Sequence, residues 1–142
     1  MKRLLLILFT VSLCTIKAQD DPAKDSLYDS LISENPIGMT VDQFNLKIKS
    51  TEKPILVYFT ADWCIVCKRE KPVLKQLKLE TGEKVLVYSI NMESNPLLAE
   101  YFEIDSLPTF IVYKDGHLTW SAVGFQDKEK LLEQLRIFFP KK

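Results

Sequence analysis

Histidine is all but missing from this chain and cysteine is scarce, with one His and three Cys in 142 residues. A closed zinc site takes four ligands, drawn mainly from Cys and His. His117 and the neighbouring pair Cys64 and Cys67 fall short of that set, because Cys14, the third cysteine, lies in an apolar segment near the N-terminus. No metal and no cofactor is therefore expected. An excess of one charge is missing too, since 19 Lys and Arg balance 19 Asp and Glu. Without a basic excess there is no sign of nucleic-acid binding, which phosphate neutralisation dominates. Long apolar runs are missing beyond residue 13, and no long heptad repeat demands a dimer, so the chain is read as a monomer.

What is present begins with Lys2-Arg3, the apolar run Leu4 to Leu13 and the small or polar residues Ala18-Gln19-Asp20. This is the layout of a secretory signal peptide, and the run falls short of the ~20 residues that span a bilayer. Residues 1–18 are read as a signal peptide cleaved near Ala18, and the protein as exported, periplasmic or otherwise extracytoplasmic. Cys14 follows the apolar run as a lipidated cysteine would, but Leu13 is bulky where that signal wants a small residue. Cys14 is therefore read as a small apolar residue of the discarded segment. The cut removes Lys2, Arg3 and Lys17 and leaves 16 basic against 19 acidic side chains, a formal charge of −3. It leaves Cys64 and Cys67 as the remaining cysteines of an exported chain, so the pair serves chemistry rather than stapling.

Trp63-Cys64-Ile65-Val66-Cys67 directly follows the apolar run Ile55 to Phe59. Residues three apart at a helix start share a face, and their separation suits the ~5.5 Å Cα spacing of a disulfide. Cys64 and Cys67 can close and reopen with little backbone movement. The first cysteine sits where unpaired N–H groups and the positive end of the helix dipole favour a thiolate. Cys64 is the expected nucleophile.

The remaining pattern is read as one domain over residues 40–142, preceded by a linker or docking segment, 19–39, with a weak amphipathic patch at Leu27, Tyr28, Leu31 and Ile32. Thr40 and Gln43 have the form of a capping box ahead of Val41, Phe44 and Ile48, which predicts a helix over about 40–50. Ile55 to Phe59 and Val85 to Ile90 are apolar runs. Between them lies a helix with Val66, Val73, Leu74 and Leu77 on one side, ended by Gly82 and kinked at Pro72. Its other face, Lys68, Arg69, Lys71, Lys75 and Lys78, is read as solvated. Asn95-Pro96 predicts the cap and first turn of a short helix. Thr109 to Tyr113 and Leu118 to Val123 read as a hairpin turning at Asp115-Gly116, with His117 a solvated turn residue. A last helix from Asp127 turns Leu131, Leu132, Leu135 and Phe138 inward. The order βαβ, short helix, ββ, α predicts an α/β fold with a mixed central sheet of four to five strands and helices on both faces.

The chain resembles the thioredoxin family on the Trp-Cys-x-x-Cys after an apolar strand, Pro72 in the following helix, Leu107-Pro108-Thr109, the Asp115-Gly116 turn and Gly124. The resemblance implies a thioredoxin fold and thiol-disulfide exchange. Cys64 would attack a substrate disulfide and Cys67 would resolve the mixed disulfide through a Cys64–Cys67 bond. It further implies that Pro108 is cis, that the backbone of Leu107 pairs with the substrate chain, and that Trp63, Ile65, Val66, Leu107 and Pro108 line the substrate surface. Protein thiols and disulfides are the implied partners, with a membrane-embedded thiol donor if the protein works as a reductant outside the cytosol.

Two departures from the family bear on mechanism. The acid usual in the strand before the motif is replaced by Tyr58, and a lysine usual near Ser89 is missing, so the group that deprotonates Cys67 is unidentified. Tyr58 is read as core, its hydroxyl bonded to Ser89. Ile65-Val66 replaces the usual Gly-Pro and offers no histidine or charge to a thiolate, while Asp62 disfavours one. An intermediate to reducing potential is expected. The rival readings are an isomerase or oxidase of exported proteins, and a binding or chaperone module that uses the apolar rim without the cysteines.

Overall fold

The computed structural model describes residues 32–34 and 38–139. The expected signal peptide, residues 1–18, lies outside them, as do Leu27, Tyr28 and Leu31 of the segment 19–39. The described part of that segment includes a short strand: β1, Ser33–Glu34, pairs in parallel with β3, Leu86–Asn91, and Ile32 beside it is buried.

Helix α1, Val41–Lys49, starts at the expected capping box. The Thr40 hydroxyl accepts from the Gln43 N–H at 3.2 Å, and the Gln43 side chain accepts from the Thr40 N–H at 2.9 Å. Strand β2, Ile55–Thr60, pairs with β3 in parallel and with β4, Thr109–Lys114, antiparallel, which, with β5, His117–Val123, beyond β4, leaves it at the centre of the sheet order β1-β3-β2-β4-β5. A central strand covered on both faces has no use for alternation, hence the continuous apolar run. β5 returns along β4 through a two-residue turn. Asp115 and Gly116 both take positive φ, +53° and +77°, as a type I′ hairpin turn demands. His117 is the first residue of β5, opposite Lys114, rather than part of the turn.

Period two sorts the strand residues between two cores. Leu56, Tyr58, Val87, Phe110 and Val112 face Leu74 and Leu77 of α2, Ile65–Thr81, and Leu131, Leu132 and Leu135 of the last helix, α4, Lys128–Arg136. Ile55, Val57, Phe59, Ile90 and Ile111 face Phe44 and Ile48 of α1 and Leu98 of α3, Pro96–Tyr101. Each of these fully buried side chains contributes about 1.5–3 kcal/mol of transfer free energy. The fold is the expected α/β architecture, a mixed five-stranded sheet with helices on both faces.

Three local expectations give way to tertiary demands. Asn95 and Pro96 are the N-cap and first residue of α3 as expected, but the Asn95 side chain makes no cap bond; its amide instead accepts from the Met39 N–H at 3.0 Å and donates to the Asn91 carbonyl at 3.1 Å, tying the chain ahead of α1 to the end of β3. Lys78 is not on the solvated face. It is buried, and its ammonium donates to the Gly82 and Val85 carbonyls at 2.7 Å each, closing the C-terminal end of α2. Val66 lies exposed at the start of α2 rather than on its apolar side. Pro72 stands inside α2 without ending it, and Gly82, at φ +55°, is where the helix stops.

Candidate active site

The C-terminal end of β2 delivers the chain to the Cys-x-x-Cys segment. The Cys64 N–H donates to the Ala61 carbonyl at 3.1 Å, and Cys64 is the N-cap of α2. Cys64 and Cys67 are joined as a disulfide with Cα atoms 5.2 Å apart, within the usual range. The Cys67 N–H donates to Cys64 Sγ at 3.1 Å, so the sulfur takes the place that a serine or aspartate oxygen takes in an ordinary N-cap. The same donor and the helix dipole are in place to stabilise a Cys64 thiolate when the bond opens.

Around the disulfide the surface is apolar. Trp63 and Ile65 are 68% and 75% exposed, although large apolar side chains usually find cover, and Val66 continues the patch. Cys64 and Cys67 themselves are buried and belong to the core cluster formed with α2 and α4. The Leu107–Pro108 bond is cis, as the resemblance implied. Pro108 is buried, Leu107 packs against both cores, and the Pro108 carbonyl accepts from the Gly124 N–H at 2.8 Å. Gly124 holds φ +87°, a conformation that favours glycine, and the exposed Phe125 ring follows, 5.5 Å from the Arg69 guanidinium.

The structure reassigns Tyr58. It is buried and lies opposite Ser89 in the sheet register, but its hydroxyl donates to the Cys67 carbonyl at 3.0 Å, not to Ser89. Burial pushes the phenol up to about 12, which leaves it a neutral donor. Asp62 is turned away to the Asn91 amide, from which its carboxylate accepts at 3.0 Å.

Glu70 went unnoticed in the sequence among the charges of α2, yet it has no exposed surface. Its Oε2 accepts from the Gln126 N–H at 3.2 Å, and its Oε1 has no partner among the described residues. Burial is the main cause that lifts this carboxyl to about 7; the Gln126 N–H opposes the lift and Asp127 adds to it. The signal was legible: Cys67, Glu70, Leu74 and Leu77 follow one another at helical spacing and all four are buried.

A dithiol pair that closes at the start of a helix, an apolar rim and a cis proline just ahead of strand β4 define a thiol-disulfide oxidoreductase. Comparison with known proteins agrees. The Thioredoxin family model matches residues 35–136. The thioredoxin of Mycolicibacterium smegmatis is 37% identical over 101 residues, covering 70% of this chain and 90% of that protein. The thioredoxin of Staphylococcus epidermidis is 40% identical over 99 residues, covering 70% and 93%. Oxidised mitochondrial thioredoxin 3 from Saccharomyces cerevisiae superposes with a TM-score of 0.67 at 25% identity, covering 78% and 98%. The chain belongs to the thioredoxin family.

Proposed function

We propose that this protein reduces protein disulfides in the cell envelope, with Cys64 as the attacking and Cys67 as the resolving thiol. The observation that carries the reducing direction is the makeup of the segment between the cysteines. The side chains that flank the sulfurs, Trp63, Ile65 and Val66, are apolar and exposed, and Cys64 Sγ accepts its hydrogen bond from a backbone N–H. A thiolate held by one N–H and a helix dipole, with no adjacent cation on the intervening residues, is stabilised only moderately. The disulfide is then the favoured form, and the reduced pair gives its electrons away. Trp63, Ile65, Val66, Leu107 and Pro108 form the surface that receives the substrate segment. The envelope location rests on Lys2-Arg3, the apolar run that follows and Ala18, the pattern of a cleaved export signal. A reductant there draws its electrons from a membrane-embedded thiol donor and works as a monomer.

Equilibrating the protein in glutathione redox buffers while following tryptophan fluorescence tests the direction. A potential near or below about −230 mV supports an electron donor. A potential between about −120 and −180 mV makes the protein an oxidase or isomerase and overturns the reading of Ile65-Val66.

A further inference from the structure

We infer that Glu70, three residues on along α2, is the proton acceptor for the Cys67 thiol. The inference rests on exchange through Cys64 and Cys67 but not on the direction of electron flow or the compartment.

Three observations carry it. Glu70 lies three residues beyond Cys67 on α2, where helix side chains lean toward the N-terminus, and its carboxyl is near enough to act on the Tyr58 phenol, whose hydroxyl is bonded to the Cys67 carbonyl. Residues so spaced bring their Cβ atoms to within ~5–6 Å, a span closed directly or through one water. Glu70 is fully buried, yet Oε1 has no partner among the described residues, and a carboxylate left half-satisfied in a core calls for an explanation. The titratable groups that face it are Tyr58 from β2, Asp127 from the cap of α4 and Cys67 from its own helix. Burial, opposed by the Gln126 N–H and reinforced by Asp127, raises the carboxyl to about 7, where a general base works best near neutral pH.

The step balances as follows. In the mixed disulfide Cys64 is bonded to a substrate sulfur and Cys67 is a thiol. The Cys67 S–H bond breaks and its proton passes to Glu70 Oε1. The Cys67 thiolate attacks Cys64 Sγ, the Cys64–Cys67 bond forms, and the bond to substrate breaks with its electron pair leaving on the substrate sulfur. That sulfur takes up the proton that Glu70 releases. The substrate disulfide gains two electrons in all, and the Cys64/Cys67 pair loses two. In the opposite direction Glu70 returns the proton to Cys67.

Glu70 also anchors the loop at Gln126, so the test must separate proton transfer from support. Glu70→Gln keeps an oxygen for the Gln126 N–H but accepts no proton. Oxidation of the reduced protein by glutathione disulfide, followed by stopped-flow fluorescence from pH 5.5 to 9, resolves capture by Cys64 from resolution by Cys67. In Glu70→Gln capture is expected to stay within about twofold, whereas resolution slows about tenfold at pH 7 and loses its dependence on a group near pH 7. Glu70→Asp is expected to restore part of that pH dependence. A resolution phase that coincides with wild type at every pH overturns the assignment. Wild type that captures but never resolves overturns exchange itself, and this inference with it. Should Glu70→Gln fail to fold, carbon-13 titration of the Glu70 carboxyl in wild type decides. Midpoints that differ between reduced and oxidised protein support the coupling, and identical midpoints overturn it.

Discussion

The hydroxyl of Tyr58 donates to the carbonyl oxygen of Cys67 at 3.0 Å, so the central strand holds the backbone of the buried cysteine while leaving its sulfur alone. Tyr58→Phe removes that bond and keeps the ring, which stacks on Phe110 with centroids 5.1 Å apart. A buried hydrogen bond contributes about 1 kcal/mol net. The oxidised variant should lose roughly 3–5 °C in thermal midpoint by calorimetry. Its reduction potential should stay at the wild-type value, because the bond is made to backbone rather than to either sulfur. A large change in potential would show that the phenol acts on the thiol chemistry.

The raised carboxyl of Glu70 makes stability depend on pH with a definite sign. In the unfolded chain the group titrates near the ordinary carboxyl value of 4.5, whereas in the folded protein it holds its proton to about 7. Between those values the native state binds more protons, so stability must fall as pH rises, and it levels off once the folded group has ionised. The full swing is of order 3 kcal/mol at 1.36 kcal/mol per unit. Urea denaturation of the oxidised protein at pH 5 and pH 8 should show the loss in wild type. Glu70→Gln should remove most of that difference between the two pH values.

The sequence announced the sheet, the helices and the cysteine pair because each has a local cause. Apolar runs mark β2 and β3, Thr40 and Gln43 cap α1, and Asp115-Gly116 turns the hairpin. What it hid are polar groups whose roles are set by distant partners. Asn95 has the look of a helix cap, but Met39, 56 positions away in the chain, claims its side chain. Lys78 belongs to a row of basic residues by spacing, and only the fold shows that the end of α2 leaves the Gly82 and Val85 carbonyls for it to bind. Glu70 was camouflaged in the same way, flanked by Arg69 and Lys71 on a helix whose exposed face is charged. Ile32 and β1 illustrate the converse, a segment with little local pattern that is ordered by the free edge of β3.

The unequal settings of the two sulfurs predict unequal trapping. Cys64, 5% exposed, caps α2 between the exposed Trp63 and Ile65 in the chain, whereas Cys67 is 1% exposed, lies inside the helix and has its backbone carbonyl bound by Tyr58. Cys67→Ser leaves the attacking thiol without a resolving partner, so incubation with a disulfide-bonded protein should accumulate a covalent adduct on non-reducing gels that dithiothreitol releases. Cys64→Ser should form at least tenfold less. Equal adduct from both variants would reverse or erase the assigned roles.

The residues between the cysteines offer the most direct control over redox poise. Val66 is exposed on the first turn of α2, beside Cys67 and two positions from Cys64, so a change there adds a side chain to the surface without disturbing either core. Val66→His places an imidazole where its cationic form can stabilise the Cys64 thiolate, which lowers the thiol pKa and stabilises the reduced pair. An interaction of about 1–2 kcal/mol corresponds to a rise of roughly 20–40 mV for this two-electron couple. The rise should be largest below about pH 6.5, where the histidine is charged, and should shrink above it. Potentials measured in glutathione buffers at pH 6 and pH 8 check both the sign and the pH dependence. A variant whose potential matches wild type at both pH values would show that the apolar dipeptide does not set the potential of this pair.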